Sequence, residues 1–371
     1  MKVLVTGSNG FVGKNLVQTL KLLPNIEVFE YNRLTNKDEI DLYAKESEFI
    51  FHMAGVNRPE KEEEFLEGNF DLTLYLLGKL KEHGNRAPIV FSSSTQADLD
   101  NPYGKSKLAS EQAIRDYSKT QNTKVYIYRL PNLFGKWSRP NYNSVVATFC
   151  YNIANDKKIE INNPNTDLSL AYIDDVVNEF LNALKGNANL VDDYCVIPVI
   201  YNVKLGKIAE LVQSFKSSRT DLLIPDMSNT FVKKLYSTYL SYIPKNNFSY
   251  PLTMHKDERG SFTEFVKTPS GGQVSINVSK PGVTKGNHWH HTKNEKFLVV
   301  KGEGVIRLRC LFSEDILEYP VSERNFEVIE IPVGYTHSIV NKGGEDMITV
   351  MWVNELFDPN NPDTYFLEVL K

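Results

Sequence analysis

Cysteine is scarce in this chain: Cys150, Cys195 and Cys310 are three among 371 residues, odd in number and far apart. That pattern excludes a disulfide framework and a cysteine-built zinc site. No apolar run approaches the roughly 20 residues of a membrane-spanning helix, so no membrane partner is expected. Positive charge is not in excess either. The formal net charge is −4, which gives no electrostatic basis for binding nucleic acid. The first residues enter a strand without a basic segment or a cleavage site, so no leader is expected and the chain reads as cytoplasmic. What remains is a globular composition on a chain too long for one ordinary core, so two domains are expected.

The stretch Met1–Gly13, MKVLVTGSNGFVG, organises the first of them. Lys2–Thr6 is short and β-branched, suited to a strand buried on both faces of a parallel sheet. Gly7, Gly10 and Gly13 follow at intervals of three, and Phe11–Leu22 has helical periodicity. A strand that turns through glycines into a helix presents bare N–H groups at the helix N-terminus. Orphan donors and dipole there both favour a pyrophosphate. The bland alternative is a tight turn with no ligand, but its position on the first strand favours a dinucleotide. Ile26–Tyr31 reads as the second strand. After it, Asn32 stands where an NAD-preferring fold places an acid for the ribose hydroxyls, and Arg33 follows. A cation there favours a 2′-phosphate, hence NADPH over NADH; a solvated surface arginine is the competing reading. Between Arg33 and Phe49 there is room for one helix, Asp38–Ser47, so the usual third strand is expected to be missing.

Phe49–Met53 is an expected strand that ends at Ala54 and Gly55, small enough for a cofactor to approach the backbone. His52 beside them reads as a packed residue rather than a catalyst. Leu66–Lys81 has the pattern of an amphipathic helix, and Pro88–Phe91 that of another buried strand. This strand delivers Ser92, Ser93 and Ser94. Tyr103 and Lys107 are four apart and so share a helix face. A phenol with a pKa near 10 is a poor acid–base group at neutral pH, and a neighbouring ammonium lowers it. Ser94 can hydrogen-bond the same carbonyl oxygen.

Thr6–Gly13, His52–Gly55, Ser94, the Tyr103/Lys107 pair and Arg129–Gly135 (RLPNLFG) together resemble the extended short-chain dehydrogenase/reductases, in their nucleotide-sugar branch. The resemblance implies a Rossmann-like, doubly wound parallel α/β sheet with Ser94, Tyr103 and Lys107 catalytic. It places the dinucleotide on Gly7, Asn9, Gly10, Phe11, Val12, Gly13, Asn32, Arg33, Ala54, Gly55, Tyr103 and Lys107, and Asn132 near the diphosphate of the substrate. Tyr172-Ile-Asp174-Asp175 matches a strand-to-helix step further on. There are two departures. The gap from Ser94 to Tyr103 is short, and the strand before Tyr172 offers Asp167 and Leu168 where an arginine often grips the phosphates. Lys136 and Arg139 are the candidate substitutes. Helices are expected over Asn141–Asn155, Val176–Leu184, Leu205–Lys216 and Phe231–Tyr242. The proline and turn formers of Pro244–Phe248 then mark a boundary, giving domains 1–245 and 246–371.

Beyond it the texture changes to short alternating strands: Ser261–Val266, Gln273–Val278, Lys296–Val300, Gly304–Cys310, Glu327–Ile331 and Met347–Val353. Regular turns between short strands predict a sandwich or barrel. His288 and His290 alternate by two and so project from one face of a strand, and Glu295 and His337 can join them. Three imidazoles and a carboxylate suit Zn²⁺, or Fe²⁺, Mn²⁺ or Ni²⁺, with a position left open. Histidines satisfied in a core are the competing reading, and four of the chain's seven lie in these two motifs. The spacing resembles the two cupin motifs, with Phe326 where a glycine is expected, so the resemblance implies an all-β cupin barrel.

An extended reductase joined to a C-terminal cupin is a narrow pattern, that of bifunctional enzymes of capsular-polysaccharide biosynthesis. That resemblance implies NADPH, one Zn²⁺ per chain in the cupin, and a homodimer. The substrate would be a UDP-linked 4-keto-6-deoxy amino sugar. The cupin would invert C3 and the reductase would then reduce the C4 ketone, giving UDP-2-acetamido-2,6-dideoxy-L-talose on the route to N-acetyl-L-fucosamine. His291, Lys296 and Tyr335 are the acid–base candidates of the second site. Three alternatives stay open: a simple 4-ketoreductase with a non-catalytic sugar-binding or dimerising cupin, an iron cupin doing oxygen chemistry, and a non-enzymatic NADPH sensor.

Overall fold

The structure, a computed structural model, describes residues 1–58 and 61–370. Packing divides the chain into two compact units, one made of Met1–Gln213 and Lys234–Pro244, the other of Ser214–Lys233 and Lys245–Lys371.

The first unit alternates strands and helices: β1 (Lys2–Thr6), α1 (Phe11–Leu20), β2 (Glu27–Tyr31), α2 (Glu39–Glu46), β3 (Phe49–His52), α3 (Leu72–Glu82), β4 (Ile89–Ser94), α4 (Pro102–Gln121), β5 (Val125–Leu130), β6 (Asn132–Phe134), α5 (Val145–Ala154), β7 (Asp167–Tyr172), α6 (Ile173–Leu184), β8 (Leu190–Val191), β9 (Tyr194–Cys195) and β10 (Tyr201–Lys204). Two further helices, α7 (Leu205–Asp221) and α8 (Thr230–Leu240), follow, each shared between the two units along the chain. The main sheet runs β2-β1-β3-β4-β5-β9-β8, parallel from β2 to β9. β2 is its edge, so the crossover from β2 goes straight back past β1 to β3, and among the described residues no strand lies beyond β2. Apolar clusters cover both faces of the sheet, one with Val3, Val5, Phe51 and Val90, the other with Leu4, Ile50, Ile89 and Phe91. That alternation explains why these strands read as unbroken apolar runs.

The helix expected over Leu66–Lys81 opens with a π-helical turn, Leu66–Asp71, before α3. The widened turn lets Asn69 reach back: its Oδ1 accepts the Val56 N–H at 2.8 Å and its Nδ2 donates to Ser106 Oγ at 3.0 Å. α5 starts later than the sequence pattern indicates, at Val145, because Ser144 caps it by accepting the Ala147 N–H.

The second unit is antiparallel. One sheet runs β11 (Met254–Asp257), β12 (Gly260–Lys267), β13 (Gln273–Ser279), β20 (Met347–Val353), β15 (Glu295–Lys301), β18 (Val328–Ile331). The other runs β17 (Ile316–Ser322), β16 (Glu303–Cys310), β19 (Tyr335–Asn341), β14 (Thr284–Trp289), β21 (Tyr365–Phe366). Phe297 and Ile329 from the first sheet pack with Ile306, Leu308 and Ile339 from the second in one core, the cupin-like arrangement. β12 is also held by the other stretch of the unit: Ile224 N–H donates to Lys267 O at 2.9 Å and Lys267 N–H to Leu222 O at 2.8 Å.

Candidate functional sites

In the first unit the glycine turn lies between β1 and α1. Gly7 is in the left-handed region (φ 66°), and a Cβ on it would sit 2.7 Å from the Ala54 backbone. A Cβ on Gly13 would sit 2.2 Å from Gly7 O. Both glycines are therefore required by the way the turn packs on itself and on residue 54. No side chain caps α1 at Gly10, so its first-turn N–H groups remain donors for an anion. Asn9 and Gly10 are exposed and Phe11 and Val12 half-buried along the same turn. Asn32 ties the end of β2 to it, its Nδ2 donating to Ser8 Oγ at 3.1 Å, and Arg33 is exposed immediately beyond. These features fit a dinucleotide pyrophosphate.

β4 ends at Ser94, and α4 is started two residues before Tyr103 by Asn101, whose side chain accepts the Gly104 N–H at 2.8 Å. Tyr103 and Lys107 then point from one face of α4 toward the carboxyl ends of β3 and β4. Lys107 Nζ donates to Ser92 O at 2.9 Å, and a Cβ on Gly55 would come within 3.1 Å of that nitrogen. Burial pushes the Lys107 pKa down to about 8, with Glu111 opposing. Tyr103 differs from expectation. Burial holds its phenol above the ordinary value and the Ser94 hydroxyl works the other way; Lys107 gives one of its three N–H groups to the Ser92 carbonyl.

His52 is packed, as its surroundings dictate: Nδ1 lies 2.7 Å from Thr6 Oγ1 and Nε2 2.9 Å from Thr73 Oγ1. Asn132 stands exposed at the head of β6, where it pairs with Leu170 of β7. Lys136 is paired with Asp174, and Arg139 lies over the Tyr142 ring.

Sequence reasoning passed over Glu111, which is buried one helical turn beyond Lys107. Its Oε1 accepts from Arg129 Nε at 3.0 Å, and its Oε2 from Arg129 Nη2 at 2.8 Å and from Tyr194 Oη at 2.9 Å. The spacing of 103, 107 and 111 was the available signal.

In the second unit His288, His290, Glu295 and His337 each offer a ligand atom, and these atoms lie within 4.8 Å of one another. The expectation that both early histidines project from one strand needs correcting. β14 ends at Trp289, so His290 lies just past it. The register shifts between Gly286 and His288, with both Gly286 (φ 99°) and Asn287 (φ 58°) left-handed. This bulge turns His288 opposite His337 of β19, and the His288 ring meets those of His290 and His337 at 5.0 and 4.6 Å.

Glu295 Oε2 lies 3.5 Å from His290 Nε2 and 3.0 Å from His337 Nε2, yet all three are buried atoms without a hydrogen-bonding partner. Burial pushes His288 down to about 4, with His337 adding to the effect. Burial alone would raise Glu295, but His290 and His337 outweigh it and hold the carboxyl well below its usual range. Orphaned lone pairs converging on one point, with one anionic and three imidazole donors, fit a divalent metal ion. Of the three acid–base candidates, Tyr335 shares its strand face with His337 and packs against the core. Lys296 points to the opposite face from Glu295, paired with Glu330, and His291 is exposed against Trp289 and Tyr365.

Among the described residues no helix is long and apolar enough to cross a membrane. Residues 3–203 match the NAD dependent epimerase/dehydratase family, and residues 255–365 the polysaccharide biosynthesis C-terminal domain. The chain is 44% identical to a UDP-2-acetamido-2,6-beta-L-arabino-hexul-4-ose reductase of Pseudomonas aeruginosa, over 100% of this chain and 99% of that one. It superposes with a TM-score of 0.95 on the crystal structure of the capsular polysaccharide assembling protein CapF from Staphylococcus aureus, at 53% identity and with all of both chains covered. A UDP-glucuronic acid 4-epimerase of Bacillus cereus in complex with NAD shares the fold of 67% of the chain, at 18% identity and a TM-score of 0.56. Matched over its whole length by a sugar-nucleotide reductase and by CapF, the chain belongs to the NAD-dependent epimerase/dehydratase family, in the branch that carries a polysaccharide-biosynthesis domain at its C-terminal end.

Proposed function

We propose that this protein is a bifunctional nucleotide-sugar enzyme. Its reductase site, over residues 1–245, reduces the C4 ketone of a UDP-linked 4-keto-6-deoxy-N-acetylhexosamine. Its cupin, over 246–371, first inverts C3, so that the product is UDP-2-acetamido-2,6-dideoxy-L-talose for a capsular or surface polysaccharide. The observation that carries this reading is the end-to-end likeness to a named hexul-4-ose reductase together with the Ser94, Tyr103, Lys107 grouping beside the glycine turn. We expect a cytoplasmic homodimer, the oligomeric state being checked by light scattering.

In the reductase site the glycine turn and the first turn of α1 would hold the pyrophosphate, and Arg33 would pair with the 2′-phosphate of NADPH. The nicotinamide, when bound, supplies a hydride to C4. Tyr103 gives its phenolic proton to the C4 oxygen, so that ketone, hydride and proton balance to an alcohol. Ser94 donates to the same oxygen and orients it. Lys107, anchored on Ser92 O, places a positive charge where the phenolate forms. Asn132, exposed at the head of β6, would face the diphosphate of the substrate. Equal affinity for NADH and NADPH would sink the NADPH assignment.

In the cupin His288, His290, Glu295 and His337 would hold one Zn²⁺, whose positive charge would acidify a hydrogen α to the ketone. Tyr335, on the strand face of His337, is our candidate for one of the two proton transfers of the inversion, in which C3 loses its hydrogen on one face and receives one on the other. Reduction at C4 removes the ketone and fixes the new configuration.

The test is incubation of the full chain with the 4-keto sugar nucleotide in D₂O, followed by NMR. Tyr103→Phe should lose NADPH consumption and keep deuterium exchange at C3. If neither wild type nor the variant exchanges C3, the cupin is a binding or dimerising module and the enzyme a plain 4-ketoreductase.

A further inference from the structure

Asp363 lies between β20 and β21, 70 to 72 positions beyond the residues it holds. It is 9% exposed and its backbone is left-handed, with φ 41°. Its carboxylate accepts three successive N–H groups at 2.9 Å: His291 on Oδ1, Thr292 and Lys293 on Oδ2. The Thr292 hydroxyl adds a fourth bond to Oδ2 at 3.1 Å. The same residue's carbonyl oxygen lies 2.5 Å from His290 Nδ1.

A carbonyl oxygen has no proton to give, so this bond requires the proton on Nδ1 of His290. In the neutral ring the Nε2 lone pair is then left bare, and Nε2 is the atom turned toward Glu295 and His337. An imidazole ready to bind a metal needs that tautomer and that ring orientation, set by a partner on its other nitrogen. Three backbone donors and a hydroxyl on one carboxylate also fix the shape of the turn 290–293, which β14 itself does not reach. One distant residue thus bonds both the ring and the loop that carries it, a loop that Gly334 N–H on His290 O and Asn354 Nδ2 on Thr292 O also hold.

We propose that Asp363 is a positioning residue of the metal centre: its carboxylate clasps the 291–293 turn and its carbonyl fixes the His290 tautomer, leaving Nε2 free for the ion. The proposal rests on the reading of His288, His290, Glu295 and His337 as a metal site.

The experiment strips the full-length protein with a chelator and titrates it with Zn²⁺ against a chromophoric competitor. Wild type should take up one equivalent. Asp363→Ala should bind Zn²⁺ about 10- to 100-fold more weakly, with NADPH affinity unchanged. Asp363→Asn, which keeps one acceptor oxygen, should fall between the two and serves if the alanine variant does not fold. In metal-free protein labelled with ¹⁵N-histidine, the Nδ1–H signature of His290 should be present in wild type and lost or averaged in Asp363→Ala. A merely structural role would lower the melting temperature of the metal-free protein and leave affinity and tautomer alone. Wild type that binds no Zn²⁺ would sink the metal reading, and this inference with it. Wild type that binds, beside an Asp363→Ala protein within twofold of it and with His290 unchanged, would overturn this inference only.

Discussion

His52 is enclosed between two threonine hydroxyls, and burial pushes its pKa down to about 3, with Lys107 adding to the effect. An unfolded chain restores an ordinary value of about 6.5. Between those two values the unfolded state binds the extra proton, so stability rises with pH across that window. The contribution is fully present above about pH 6.5 and drains away as pH falls toward 3, a total on the order of 5 kcal/mol. His52→Gln keeps polar contact with the threonines and cannot titrate there. Urea midpoints of the first unit at pH 7 and pH 4.5 should therefore fall less in the variant than in wild type. Parallel falls would show that another group carries the acid sensitivity. That His52 is packed was legible in its sequence, since it closes an apolar strand. The raised Tyr103 phenol was not, because sequence shows a lysine four residues away but not the burial that raises the phenol.

On α4, Tyr103, Lys107 and Glu111 form one face, and only the far end of it is an ion pair. Glu111 and Arg129 are joined by two bonds in a site where the carboxylate is buried. Removing one partner of such a pair strands the other charge. Glu111→Gln should cost about 3 kcal/mol, read as a lower thermal midpoint of the first unit. A loss under about 1 kcal/mol would mean that Asp98 alone satisfies Arg129. Parallel strands, glycine turn and helix face were legible because burial on both sides leaves apolar runs and because side chains four apart must meet. The π-helical turn at Leu66–Asp71 was not, since one extra residue per turn leaves no period to detect. β11, β17 and β21 escaped for a different reason: their residues are almost all exposed, so no alternation marks them. Asp363 left no trace either, because its partners at 291–293 are backbone N–H groups, which every sequence has.

At the scale of the whole molecule the boundary near Pro244 is only one of three places where the chain passes from one unit to the other. A fragment beginning at residue 246 would lack Leu222–Ile224 and with them both backbone bonds to Lys267. At about 1 kcal/mol for each bond, it should be roughly 2 kcal/mol less stable than the same domain in the intact protein, as followed by the fluorescence of Trp289 and Trp352. Equal stability would mean that the 214–233 stretch adds nothing to β12. The interleaving also bears on inheritance. Wherever a single recombination breakpoint falls between 213 and 245, a piece of one unit is left on the gene segment encoding the other. Two such genes cannot trade the first or the second unit in one crossover without mixing sequence within a unit, so the pair is expected to descend as a single heritable character.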